Sequence, residues 1–266
     1  MSRRRYLRRM NDRTRIGKFN NTIIRDPSLP RILVEGDSWY SYPLKKNLYA
    51  QVRGMVPGAY LCTAKVGDTV EKMLFGKQAR KLKKYLKGWP FDVILFSGGG
   101  NDIVGEVLLE VLKEKKAGMG WEDCIDKAAF KRIQDRVEEG YRELLKFRDA
   151  HAPNCVVIAH GYDYPLPMNK GAKIFGIRVS GPWIHPHMKT RKITEQEDKN
   201  AIGKWLIDQF NQMLANLAQN ERKFVHVATP GTIDADQWHN ELHPNSGGFK
   251  KVGVKVAAAL RTSLGQ

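Results

Sequence analysis

Short, mostly apolar runs recur five times along the chain, at Ile32–Glu35, Ala59–Cys62, Phe91–Phe96, Cys155–Ala159 and Phe224–Ala228. Their length and their β-branched and aromatic content suit buried strands. Between them apolar positions fall at helical spacing. Val70, Met73, Leu74, Leu82 and Leu86 predict an amphipathic helix with a lysine-rich outer face. Ile125, Ala129, Ile133, Val137, Tyr141, Leu144 and Leu145 predict a long one, closed by His151-Ala152-Pro153-Asn154. Ile202, Leu206, Phe210 and Leu217 mark another, and Phe249, Val252, Val256 and Leu260 a last one beginning near Gly247. Strands alternating with helices in this way predict the α/β class, with a five-stranded parallel sheet covered on both faces.

The segments outside this alternation are informative too. Residues 1–28 are polar and basic, and Pro27 to Pro30 reads as the entry to a folded domain over 29–266. Trp39 to Pro57 is aromatic and irregular. A segment at about 160–195, rich in Gly, Pro and aromatic residues, predicts a long loop excursion over the functional face.

With 266 residues, 42% of them hydrophobic, the chain can bury a full core as one domain. It contains no run of about eighteen apolar residues, so no membrane span is expected. The amino terminus lacks the apolar stretch that a secretory signal carries after its charges, which predicts a cytoplasmic start, with export by another route left open. Cys62, Cys124 and Cys155 are too few and too scattered for a disulfide framework or a C-x-x-C metal site. The formal charge of +17 and pI near 9.8 imply attraction to something anionic, and the basic arm offers itself to an anionic surface.

Chemistry concentrates where strands end. In open α/β sheets ligands bind at the carboxyl ends of the strands. The first strand stops at Gly36-Asp37-Ser38 and the second near Gly67-Asp68-Thr69. The third runs into Ser97-Gly98-Gly99-Gly100-Asn101-Asp102, and the loop after the fifth carries His239 and His243. If the strands are parallel neighbours, Ser38, Gly67, Asn101 and His243 share one edge. Ester cleavage by a serine needs a base within hydrogen-bond reach and donors aimed at the oxygen that becomes negative. His243 would supply the base. The Ser38 and Gly67 backbone N–H groups and the Asn101 amide would supply the donors.

Gly36-Asp37-Ser38, Gly67-Asp68-Thr69, Gly99-Gly100-Asn101-Asp102 and His243-Pro244-Asn245, in this order, resemble the four sequence blocks of the SGNH, or GDSL, hydrolases. The resemblance spans about residues 31–249. It implies a flavodoxin-like three-layer α/β/α sandwich and a cofactor-independent, metal-independent esterase or lipase. Ser38 would be its nucleophile, His243 its base, and Ser38, Gly67 and Asn101 its oxyanion donors. The substrate would be an ester, a lipid or an acylated carbohydrate.

One position departs from that pattern. The family usually carries an aspartate three residues before the catalytic histidine, where this chain has Asn240. An amide can accept a hydrogen bond from the imidazole but cannot stabilise the imidazolium by charge. Asp236 is the expected replacement acid; Asp234 and a Ser-His dyad steadied by a backbone carbonyl are the alternatives. Asp236-Gln237-Trp238-His239 has the literal D-x-x-H spacing and would make His239 the base, yet the Pro-Asn after His243 and the helix start at Gly247 favour His243. Two rival classes stay in view. One is a basic binding module for nucleic acid or anionic membrane on a vestigial hydrolase scaffold, and the other is a metal-dependent hydrolase built on the histidine loop.

Overall fold

The computed structural model describes the backbone of residues 3–43, 46–174 and 177–266, and the side chains of these except 3–11, 173–174 and 177–179. In chain order the elements are α1 (Arg3–Arg25), β1 (Arg31–Gly36), α2 (Ser38–Ser41), α3 (Leu48–Met55), β2 (Ala59–Cys62), α4 (Val70–Leu74), α5 (Lys77–Gly88) and β3 (Val93–Ser97). Then follow α6 (Gly100–Ile103), α7 (Leu108–Val111), α8 (Lys127–His151), β4 (Val156–His160), β5 (Ala172–Ile174) and β6 (Ile177–Ser180). The chain ends with α9 (His185–Thr190), α10 (Gln196–Asn220), β7 (Phe224–Val227) and α11 (Ser246–Ser263).

The five apolar runs form one parallel sheet in the order β2-β1-β3-β4-β7. α3 and α11 pack together on one face, with α11 against β4 and β7, while α4, α5, α8 and α10 cover the other. This is the three-layer α/β sandwich expected. Burial on both faces explains why β3, with Val93 to Ser97 all buried, reads as continuous rather than alternating hydrophobicity.

The register sets the functional edge. Gly36 pairs with Ser97, the Asp37 N–H continues the ladder to the Ser97 carbonyl at 3.0 Å, and the Lys65 N–H donates to the Gly36 carbonyl at 2.8 Å. The loops after β1, β2 and β3 therefore start side by side. A Cβ at Gly36 would lie 2.6 Å from the Ser97 carbonyl oxygen, so this close approach of β1 and β3 requires glycine.

Three expectations change in detail. The helix predicted over Val70 to Leu86 is two helices, because Phe75 is extended and Gly76, at φ 88° and ψ −136°, adopts a backbone conformation that residues with side chains rarely take, and Phe75 is left 40% exposed. The irregular stretch from Trp39 to Pro57 contains α2 and α3. The excursion at about 160–195 holds the antiparallel hairpin β5-β6 and α9.

The basic stretch at the amino terminus is helical from Arg3, and its side chains before Asp12 lie outside the described residues. Its later part packs on the rest of the chain. Phe19 is 1% exposed and stacks on Phe91 at 5.5 Å, Asn20 accepts from the Trp89 indole, and Asp12 pairs with Lys81. α1 thereby lies alongside the edge strand β2, one of the ways a sheet edge is shielded from further pairing. No described helix is long and apolar enough to cross a membrane.

Candidate active site

Ser38 is the first residue of α2, delivered by β1 to the sheet edge. Asp37 caps that helix, accepting from the Trp39 N–H at 2.9 Å. Its carboxylate also accepts from the Ser97 hydroxyl at 2.7 Å and from the Tyr162 hydroxyl. Asp37 is thus consumed by three donors and holds the turn that presents Ser38. Burial pushes its carboxyl up to about 6, against the downward pull of Tyr162, Ser97 and Trp39.

His243 reaches this serine from the loop after β7. Its Nε2 lies 2.7 Å from the Ser38 Oγ. The Nδ1 contact is to Asn240 Oδ1, at 3.0 Å. The same Oδ1 accepts from the Leu242 N–H at 3.0 Å and the His243 N–H at 2.9 Å, while Asn240 Nδ2 donates to the Tyr42 hydroxyl at 3.0 Å. Backbone N–H groups only donate, so the atom facing them is the amide oxygen. The imidazole therefore carries its proton on Nδ1 and turns the lone pair of Nε2 toward the Ser38 hydroxyl.

Two rings confine this imidazole. Tyr42 stacks on it with centroids 4.1 Å apart and planes 11° from parallel, and Trp183 approaches edge-on at 5.5 Å. Burial, and next the neighbouring His239, push His243 down to about 3, so it is neutral at physiological pH.

Asp236, the expected partner of His243, lies in a one-turn 3-10 helix over Ala235–Gln237 with its side chain exposed. The position beside Nδ1 belongs to Asn240, which is fully buried. Asp234 forms a capping box with Gln237 and pairs with Lys251. His239 sits next to the site with its ring 5.9 Å from that of Tyr42, but the imidazole on Ser38 is that of His243.

A cleft open to solvent lies over the serine. Ser38, His243, Gly100 and Asn101 line its polar end, and Ile103, Val104, Pro165, Ile207, Trp238 and Leu242 its apolar walls. The Asn101 amide donates to the Asp68 carbonyl at 2.9 Å, which fixes the side chain at the cleft wall. Asp102 accepts from the Val70 N–H at 3.0 Å and braces the same loop. Gly67, one residue before Asp68, is exposed and is not among the cleft-lining residues.

Two buried carboxylates that no sequence pattern singled out hold the frame. Glu241 accepts from the backbone N–H groups of Trp183, Ile184 and His185 at 2.5, 3.0 and 2.9 Å, tying the excursion to the histidine loop. Asp163 accepts from Gly231, Thr232 and Ile233, fixing the start of that loop. Among the described residues no group of three or more His, Cys, Asp or Glu is placed to hold a metal ion.

No protein-family model matches the chain, and no curated protein matches it by sequence. Solved structures do. A lipase from a goat rumen metagenome is 18% identical, with 86% of this chain and 97% of that one covered and a TM-score of 0.56. An extracellular lipase from Streptomyces rimosus is 17% identical over 86% and 99% of the two chains, with a TM-score of 0.51. A protein of Slackia heliotrinireducens assigned provisionally to the SGNH hydrolases is 11% identical over 88% and 100%, with a TM-score of 0.50. The chain therefore shares its fold with these lipases and with that SGNH-hydrolase candidate, as the four motif blocks imply.

Proposed function

We propose that this protein is a serine-dependent carboxylic ester hydrolase with a Ser38-His243-Asn240 constellation. The observation that carries the proposal is the 2.7 Å contact between the Ser38 hydroxyl and His243 Nε2, combined with an amide that fixes the imidazole as the Nδ1–H tautomer. Ser38 Oγ attacks the acyl carbonyl while Nε2 takes its proton. The negative oxygen is met by the Ser38 N–H and the second Asn101 N–H; Gly67, exposed and away from the cleft lining, is not counted among the donors. The imidazolium returns its proton to the leaving alcohol. Water, deprotonated by the same Nε2, then attacks the acyl-enzyme; the bond to Ser38 Oγ breaks, the imidazolium returns the proton to that oxygen, and the acid leaves. Asn240 acts as a positioning residue, in the place for which Asp236 was the first candidate.

The apolar walls of the cleft support an acyl chain of an uncharged ester lying against Ile103, Ile207 and Trp238. The test is intact-mass labelling with a serine-directed fluorophosphonate on the wild type, Ser38→Ala and His243→Ala. Stoichiometric labelling that Ser38→Ala abolishes and His243→Ala slows by at least about 10³-fold is expected. A well-folded wild type that takes no label would sink the nucleophile reading and leave the vestigial binding scaffold in its place.

A further inference from the structure

A second cavity, open to solvent, lies between α1, α3 and β2, on the other side of α2 from the ester cleft. Trp39 faces the cleft, whereas Tyr40 and Ser41 line this cavity. Three cations, Arg15, Lys18 and Arg53, stand in its lining, and no carboxylate does among the described residues. None of the three is ion-paired to a carboxylate among the described residues, although several other surface lysines and arginines are. All three are exposed, and like charges gathered at one cavity without a counter-charge attract an anion, whose binding stabilises the fold by mass action.

The polar groups of the wall can be accounted for one by one. Tyr60 donates its hydroxyl to the Val56 carbonyl at 2.9 Å, Ser41 donates to the Asp37 carbonyl at 2.8 Å, Asn47 donates to the Tyr42 carbonyl at 3.1 Å, and Arg53 partners the Tyr49 hydroxyl. Tyr40 is the exception. It is 1% exposed, its hydroxyl has no hydrogen-bond partner, and that hydroxyl lies within electrostatic range of Asp37, on the far side of α2, and then of Cys62 and Tyr60, two other residues of this wall. A buried hydroxyl without a partner costs on the order of a hydrogen bond, and here it belongs to the wall of a cavity ringed by cations that lack a counter-charge.

We propose that this cavity binds a phosphate-bearing ligand, whose oxygens take the Arg15 and Arg53 guanidinium forks, the Lys18 ammonium and the Tyr40 O–H. Guanidinium matches phosphate geometry in bidentate fashion, and a phosphate has acceptors enough to satisfy all four groups. Tyr49 and Tyr60 also line the cavity, so the ligand carries an organic portion against their rings. The site does not depend on the esterase reading.

The experiment is calorimetric titration of the full chain with inorganic phosphate at fixed ionic strength, and in parallel with phosphatidylcholine vesicles with and without phosphatidic acid. Arg53→Gln and Tyr40→Phe probe the site, and Arg132→Gln, at an exposed position on α8, controls for net charge. Saturable one-to-one binding of inorganic phosphate is expected, weakened about tenfold or more by Arg53→Gln and about threefold or more by Tyr40→Phe. Arg132→Gln should leave it unchanged. Saturation only by vesicles containing phosphatidic acid, lost in Arg53→Gln, would identify the phosphate as that of a lipid headgroup. No saturation with either probe, or equal affinity in all three variants, would overturn the site.

Discussion

Ser38 is held between two buried polar side chains that differ by one charge. On one side Asp37 caps α2 and is surrounded by three donors, none of which belongs to the imidazole. On the other side Asn240, neutral, accepts from the Leu242 N–H, the His243 N–H and the His243 imidazole. The carboxylate thus sits where it can only shape a turn, and an amide sits where a carboxylate would stabilise the imidazolium. The contrast separates two duties that a triad aspartate combines. Orientation and tautomer need only an acceptor in the right place, whereas stabilising His243 in its charged form needs charge.

Removing the acceptor breaks this comparison most severely. Asn240→Ala leaves the Leu242 and His243 N–H groups unpaired in a buried site and frees the imidazole to rotate or change tautomer. A loss of about 10² to 10³ in kcat/KM for a soluble ester is expected, with a fall in stability of roughly 1 to 3 kcal/mol. Rates within a few-fold of wild type on a folded variant would mean that Asn240 does not position His243.

Restoring the charge sharpens the comparison. In Asn240→Asp one carboxylate oxygen keeps the two backbone donors and the imidazole, and the other takes the Tyr42 hydroxyl, which can rotate to donate. The new charge favours the imidazolium, so the pKa of His243 rises from about 3. The sign follows from the proton that Nε2 must accept. The wild type keeps a neutral, competent His243 down to low pH and shows no acid limb between pH 5 and 8. The variant gains about tenfold or more in kcat at pH 8 and acquires an acid limb inside that window. A pH-rate profile of the two proteins decides it: a variant slower at pH 8 with an unchanged profile contradicts the assignment of Asn240.

Much of this architecture is legible in the amino-acid sequence. The five apolar runs become the five strands because burial on both faces leaves no alternation to obscure them, and each polar turn after them reaches the same edge. The helix break at Phe75-Gly76 is masked by Leu74 and Leu82, whose eight-residue spacing keeps helical phase across it. Asn240 is legible in principle: an Asn side chain accepting N–H groups two and three residues ahead is ordinary local turn chemistry. The search for a charge points instead to Asp236, an exposed carboxylate in the same loop. Glu241 and Asp163 cannot be read from sequence at all, because their donors lie 56 to 58 and 68 to 70 residues away in segments without periodicity.

An effect on stability rather than on rate concerns the charge on the other side of the serine. Burial raises the folded-state pKa of Asp37 from 3.8 to about 6. Between those values the folded protein holds a proton that the unfolded chain has released, so ionising Asp37 lowers stability as pH rises. Asn at this position would stay neutral, keep an acceptor for Trp39 and Ser97, and offer an N–H to the Tyr162 oxygen. In urea unfolding at pH 4 and pH 8, the stability of Asp37→Asn relative to wild type should therefore move in the variant's favour by roughly 1 to 3 kcal/mol. Taking the difference between the two proteins removes His160, His226 and His243, whose lowered pKa values act in both alike. A shift in the opposite direction would mean that the three donors outweigh burial and that the Asp37 charge stabilises the turn.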